Sequence, residues 1–212
     1  MRPPGDTDRC PYSVGESGSR TTVQTGDAVL AAAADLRRQL AEPGSQPGNT
    51  ELVARVTTNP RIEGMTRYAS AAHFAEVAVD LAVGHVRVLR YVAVHESGRI
   101  LNPLTAASQV KGGVAIGIGM ALHEELLYDR STGIPVNPGY YGARVMTHLD
   151  TPEIDVHFVE PEDAYGPFGA KAIGEPPIIP VVAAIGNAIF NATGRRLTEL
   201  PFSRDRILEA LT

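Results

Sequence analysis

The stretch GPFGAKAIGEPPIIP, Gly166 to Pro180, sets a single carboxylate, Glu175, between Gly174 and Pro176 in a run of glycines, prolines and apolar residues. The prolines that follow put Glu175 at the boundary of the last long helix, where unpaired N–H groups and the helix dipole favour negative charge. Two readings follow: the carboxylate caps the helix, or, kept charged beside a cavity, it serves as a general base. Gly166, Gly169 and Gly174 leave a loop bare of side chains, on which a ligand could lie. A second stretch, GESGSRTTVQTGDA (Gly15 to Ala28), leads small residues, an arginine and hydroxyls into a helix N-terminus. Its backbone N–H groups, with Ser19, Thr21 and Thr22, suit an anion such as phosphate. The alternative is a solvated loop with a capped helix, because the stretch is neither GxGxxG nor a Walker A loop.

Other candidates carry less chemistry. GESG also suits a serine nucleophile loop, with Ser17 or Ser19 attacking, but too few residues precede it to supply a histidine and an aspartate. The six histidines, at 73, 85, 95, 123, 148 and 157, show no metal-ligand spacing such as HExxH, and for His73 and His85, in strands, an ordinary hydrogen-bonded role is expected. Cys10 is the single cysteine, so neither an internal disulfide nor an iron-sulfur cluster can be built from this chain alone. Asn191-Ala192-Thr193 matches a glycosylation sequon at a helix end, without other secretion signals.

The elements that must position these residues are legible in the periodicity. Gly26 to Glu42 reads as a helix with Val29, Leu36 and Leu40 on one side and Asp27 at its start, followed by a Gly/Pro-rich loop over 43–49. Strict alternation from Ala72 to His95, broken at Val83-Gly84, predicts a β-hairpin. Asn102-Pro103 opens a second helix whose four glycines each cost about 1 kcal/mol relative to alanine. Gly113 and Gly117, four apart, would admit a close neighbour, either another backbone or a ligand. Strands are expected near Leu126 to Asp129 and at Glu153 to Val159, with a turn at Ser131 to Gly133. A helix after Glu175 ends at Gly194, and a last one starts at Ser203 with Asp205 in its first turn. Mixed elements without a regular βαβ rhythm predict an α+β fold.

Composition sets the outer limits. The 212 residues are 43% hydrophobic with a net charge of -5, which predicts a globular chain with no basic surface for nucleic acid. No apolar run is long enough to span a bilayer, and the first residues, MRPPGDTDRC, lack an apolar leader core, so a cytoplasmic location is expected. The start reads as entry into the middle of a fold.

Four motifs, taken in order, resemble one known family. GDTDRCPYSVGESGSRTT, GRILNP (Gly98 to Pro103), QVKGGVAIGIGMALHEE (Gln109 to Glu125) and GPFGAKAIGEPP are similar to the molybdenum hydroxylases of the xanthine dehydrogenase and aldehyde oxidase type. The likeness runs from about Gly5 to the C-terminus, as a single cofactor-binding domain over 1–212, with room for two sub-lobes. It implies a molybdenum ion held through a pyranopterin dithiolene rather than by side chains, with the cytosine dinucleotide form expected. Glu175 would be the base that activates a metal-bound hydroxyl for attack on an aldehyde or aromatic heterocycle. Gln109 would hydrogen-bond the pterin, Gly18, Ser19, Arg20 and Thr21 would line its pyrophosphate or nucleotide end, and Lys171, Ala172, Ile173 and Gly174 would lie along it. Family subunits are several times longer, so the resemblance implies an upstream molybdopterin-binding portion, an iron-sulfur subunit and an FAD subunit as partners. The rival reading is a non-catalytic remnant or assembly module that keeps an anion-binding loop.

Overall fold

The computed structural model describes residues 6, 8, 10, 15, 17–42, 53–56, 68–161 and 166–212. The chain divides into two units, Met1–Thr66 and Arg67–Thr212. In the first, a single turn of π-helix, Thr21–Thr25, runs into α1, Gly26–Ala41, with Asp27 in the first turn as expected. The loop predicted over 43–49 lies outside the described residues. No helix among the described residues is long and apolar enough to cross a membrane.

The second unit is built on a three-stranded sheet in the order β1-β2-β3. β1 (Ser70–Asp80) and β2 (His85–Glu96) form the expected antiparallel hairpin, and β3 (Glu153–Phe158) runs parallel to β2. α2 (Pro103–Leu122) belongs to the β2-to-β3 crossover, and α4 (Val181–Thr193) packs on β1 and α2. The short α3 (Gly139–Ala143) and the terminal α5 (Arg204–Leu211, capped at Ser203) complete the set. An α+β architecture results. The segment expected as a strand near Leu126–Asp129 pairs only with its own return limb: Asp129 N–H donates to Ile134 O at 2.9 Å and Val136 N–H to Leu127 O at 2.9 Å. The Asp129 carboxylate closes this turn by accepting from Ser131 and Thr132, so the segment never reaches the sheet.

On β1 every odd-numbered residue from Ala71 to Val79 faces the core, but β2 changes parity: Val86 and Val88 are buried, then Tyr91, Ala93 and His95. The change is a β-bulge, with Leu89 and Arg90 opposite Glu76 and both exposed. Past it, His73 sits diagonally between Tyr91 and His95 on the core face. Its Nδ1 lies 3.0 Å from the Tyr91 hydroxyl and its Nε2 2.8 Å from His95 Nε2, a hydrogen-bonded histidine in a strand as the sequence suggested. Burial, then the neighbouring His95, pushes His73 down to about 4, and burial lowers His95 as well. Geometry explains the direction: one ring must accept between the two Nε2 atoms, and His95 Nδ1 is buried with no partner among the described residues to receive a second proton.

α2 is capped by Asn102, whose Oδ1 accepts from Thr105 N–H at 3.2 Å. The two open readings of its glycines resolve to packing. A Cβ on Gly113 would stand 2.7 Å from Pro177 Cβ, and one on Gly117 would stand 2.5 Å from Val181 Cβ. Bare backbone is what lets α4 and the segment before it lie against α2.

Two predictions follow. Gly117→Ala should destabilise the protein by about 1–3 kcal/mol through overpacking, whereas Gly112→Ala, where a Cβ meets nothing within 4 Å, should stabilise it by up to ~1 kcal/mol. Urea unfolding of both variants checks the pair. The histidine pair should make stability fall with acid: its contribution is complete above pH ~6.5, where the unfolded histidine is neutral, and is lost as pH drops towards about 4, where folded His73 takes up its proton. Melting temperatures across this window should fall more steeply for the wild type than for His73→Gln.

Candidate functional site

Glu175 does not cap a helix. The helix expected directly after it begins only at Val181, with Pro180 as its N-cap residue. Prolines explain the delay, because each disfavours helical geometry in the residue before it, and Pro176, Pro177 and Pro180 restrain Glu175, Pro176 and Ile179 in turn. The chain instead runs in turns, with Ile178 N–H donating to Glu175 O at 3.2 Å and Val181 N–H to Ile178 O at 3.3 Å. Pro177 is fully buried under α2 while Gly174 and Glu175 are exposed. The carboxylate therefore stands on a loop fixed from below. Gly194, by contrast, ends α4 in the expected left-handed conformation, at φ 71°.

Three of the four sequence motifs meet around this loop. From α2, Gln109 Nε2 donates to the carbonyl of Gly174 at 2.9 Å, which ties the residue before Glu175 to a rigid helix. Gly98, first residue of GRILNP, pairs with Ala170 as an antiparallel bridge, flanked by Arg99 N–H to Gly169 O and Lys171 N–H to Ser97 O, both 2.8 Å. Gly98 has φ 63°, and a Cβ there would fall 2.2 Å from Gly169 O, so both conformation and space demand glycine. Gly166 is equally bound, since its Cβ would lie 1.7 Å from Ala170 O. Ala170 is buried, and Ala172 and Ile173 are half-buried, with Ile173 packed on the core.

Lys171 Nζ lies 2.7 Å from Glu96 Oε2, with the two side chains 13% and 22% exposed, so its ammonium is engaged at the end of β2. Glu96 Oε1 accepts from Gly98 N–H at 3.0 Å, and one carboxylate thus holds both sides of the bridge. Sequence reasoning passed over Glu96 and Ser97. The available signal was an acidic residue two positions before a motif glycine, indistinguishable by pattern from a solvated strand end.

The fourth motif lies in the first unit; its residues 5, 7, 9, 11–14 and 16 fall outside the described residues. Gly18 (φ 73°) and Ser19 (φ 54°) are left-handed and Arg20 is right-handed, at φ -88°. Such alternation of left- and right-handed residues is the backbone pattern in which successive N–H groups can face one side. The Arg20 Nε donates to Ser17 O, bracing the turn, and Thr21 opens the π-turn that follows. Among the described residues no group of three or more His, Cys, Asp or Glu side chains could hold a metal ion.

The Lys171-Glu96 pair should matter to the loop. Lys171→Met leaves a partly buried carboxylate without its cation and should destabilise the protein by about 1–3 kcal/mol. The double variant Lys171→Met, Glu96→Gln should recover part of that loss in a thermodynamic cycle read by urea unfolding.

A family model described as a molybdopterin cofactor-binding domain matches residues 3–67 and 48–152. The xanthine dehydrogenase molybdenum-binding subunit of Escherichia coli O157:H7 is 41% identical over 161 residues, which are 76% of this chain and 20% of that protein. The aldehyde oxidoreductase molybdenum-binding subunit PaoC of Escherichia coli strain K12 is 46% identical over 142 residues, 66% of this chain and 19% of PaoC. The crystal structure of the aldehyde oxidoreductase from Desulfovibrio desulfuricans superposes with a TM-score of 0.81 at 30% identity, over 97% of this chain and 24% of that one. The chain thus spans about a fifth of the length of the curated relatives it matches. With the glycine-dependent loop, its glutamine tether and the family model in agreement, the chain belongs to the molybdopterin cofactor-binding domains of the molybdenum hydroxylase family.

Proposed function

We propose that this chain is the C-terminal part of the catalytic subunit of a molybdenum hydroxylase, with Glu175 as its base. The observation that carries the reading is the hydrogen bond from Gln109 to Gly174, which presents the exposed carboxylate next in sequence on a braced loop. The donor set suits a pterin. After its bond to Gly174, Gln109 keeps a carbonyl oxygen and a second N–H, the complement of a pyrimidinone edge. The Gly18-to-Thr21 turn suits a pyrophosphate, and so a dinucleotide form of the cofactor, the cytosine form among bacterial members. Lys171, Ala172, Ile173 and Gly174, in the second unit with Gln109, contribute main chain along the pterin. When bound, the molybdenum-pterin group supplies Lewis acidity and two-electron redox capacity.

The chain's own residues then do three things. Glu175 accepts a proton at a carboxylate oxygen as the water-derived oxygen passes to an aldehyde or aromatic heterocycle. Gln109 restrains the carboxylate's backbone, which limits the reorganisation needed at that moment. Lys171 stays neutralised by Glu96 and so does not compete for the Glu175 carboxylate. Upstream portions of the subunit, an iron-sulfur subunit and an FAD subunit complete the enzyme in this reading. Because the chain spans so little of its relatives, catalysis belongs to that assembly.

In the assembled enzyme, Glu175→Gln should lower kcat by about 10²–10⁴-fold with molybdenum and pterin content unchanged. Retained turnover would remove Glu175 from the base role. The chain expressed by itself should retain neither pterin nor activity.

A further inference from the structure

A cavity of about 500 Å³ opens where the β1-β2 turn, the C-terminal end of α2, the residue after α3 and the start of α5 converge. Four basic side chains line it, each from a different element: His85, His123, Arg144 and Arg204. Arg144 follows α3 as its C-cap residue, in the left-handed conformation with φ 60° and ψ 46° that commonly ends a helix, which fixes where its side chain leaves the backbone. Neither arginine makes an ion pair among the described residues, although five such pairs form elsewhere.

In the lining, two guanidinium groups stand against one carboxylate, that of Asp205. Burial disfavours the protonated form of His123, and the positive groups of His85, Arg144 and Arg204 add to this, with Asp150 alone acting in the other direction. Asp150 accepts from Thr147 N–H at 3.1 Å and from its hydroxyl at 2.7 Å. Among the described residues of the lining the one acid, Asp205, is engaged by the Ser203 hydroxyl and by the N–H groups at the start of α5. That carboxylate is taken up by its own helix end, and the two arginines, neither in an ion pair among the described residues, are what ask for a counter-ion. The floor is fixed: a Cβ on Gly84 would lie 2.3 Å from Arg204 O, so the hairpin turn and α5 are in backbone contact.

We propose that this cavity binds an anion bearing carboxylate or phosphate oxygens, held between Arg144 and Arg204 with His123 as a further donor. Its volume accommodates a small di- or tricarboxylate or a phosphorylated metabolite. The same chemistry is offered by two sources, a free anion or an acidic side chain from the rest of the subunit. The inference is independent of the molybdenum reading, since no part of the Glu175 loop lines the cavity.

The test titrates the chain with inorganic phosphate and with citrate at constant ionic strength in chloride, by calorimetry and by the ring resonances of His123. Saturable binding that shifts those resonances is expected, and Arg144→Gln, Arg204→Gln together should weaken it more than tenfold, since each arginine contributes charge-assisted hydrogen bonds. Arg144→Lys, Arg204→Lys should restore part of it, and circular dichroism should show all variants folded. Repeating the titration on the assembled enzyme separates the sources: binding that persists marks a free anion, and binding displaced on assembly marks a side chain. Absence of saturable binding to the chain, or binding unaffected by the double glutamine variant, overturns the proposal.

Discussion

The candidate site depends on one close approach of two backbones. The loop that carries Glu175 has almost no regular structure of its own, and its main chain is satisfied by residues 97–99, which continue from the end of β2. Such pairing satisfies polar groups that would otherwise be buried without partners, and it is possible only because position 98 has no side chain. The carboxylate of Glu96 reinforces the junction by taking a lysine from one strand and an N–H from the other. A carboxylate on an irregular loop is thereby given the positional definition of a strand edge.

That arrangement explains how motifs far apart in sequence serve one purpose. GRILNP provides the glycine against which the loop lies, QVKGGVAIGIGM provides the helix whose glutamine holds Gly174 and whose bare face admits Pro177 and Val181, and the loop itself carries Glu175. The likeness to molybdenum-binding subunits extends over about a fifth of their length.

Much of this was legible in the sequence, and the failures have physical causes. Alternation gave the hairpin, and capping residues gave α2, α4 and α5, because those signals are local. The start of α4 was misjudged by taking prolines as helix initiators when a closely spaced run of them excludes helix from the residues before each one. The glycines of α2 were recognised as sites of close approach, yet what approaches could be known only once Pro177 and Val181 were in place. Glu96 and the basic cavity escaped notice because each is assembled from elements distant in sequence, where spacing carries no information.

The bulge at Leu89 and Arg90 has a reach beyond its own strand. It inverts which side of β2 looks inward, so everything downstream inherits its facing from that one inserted residue. A hairpin shortened by that residue, the exposed Leu89, would keep its buried-type residues and its turn while presenting Tyr91 and His95 to solvent and turning Glu96 away from Lys171. Length in this hairpin is thus under a constraint of parity: changes by two residues preserve handedness of the edge, and changes by one dismantle it.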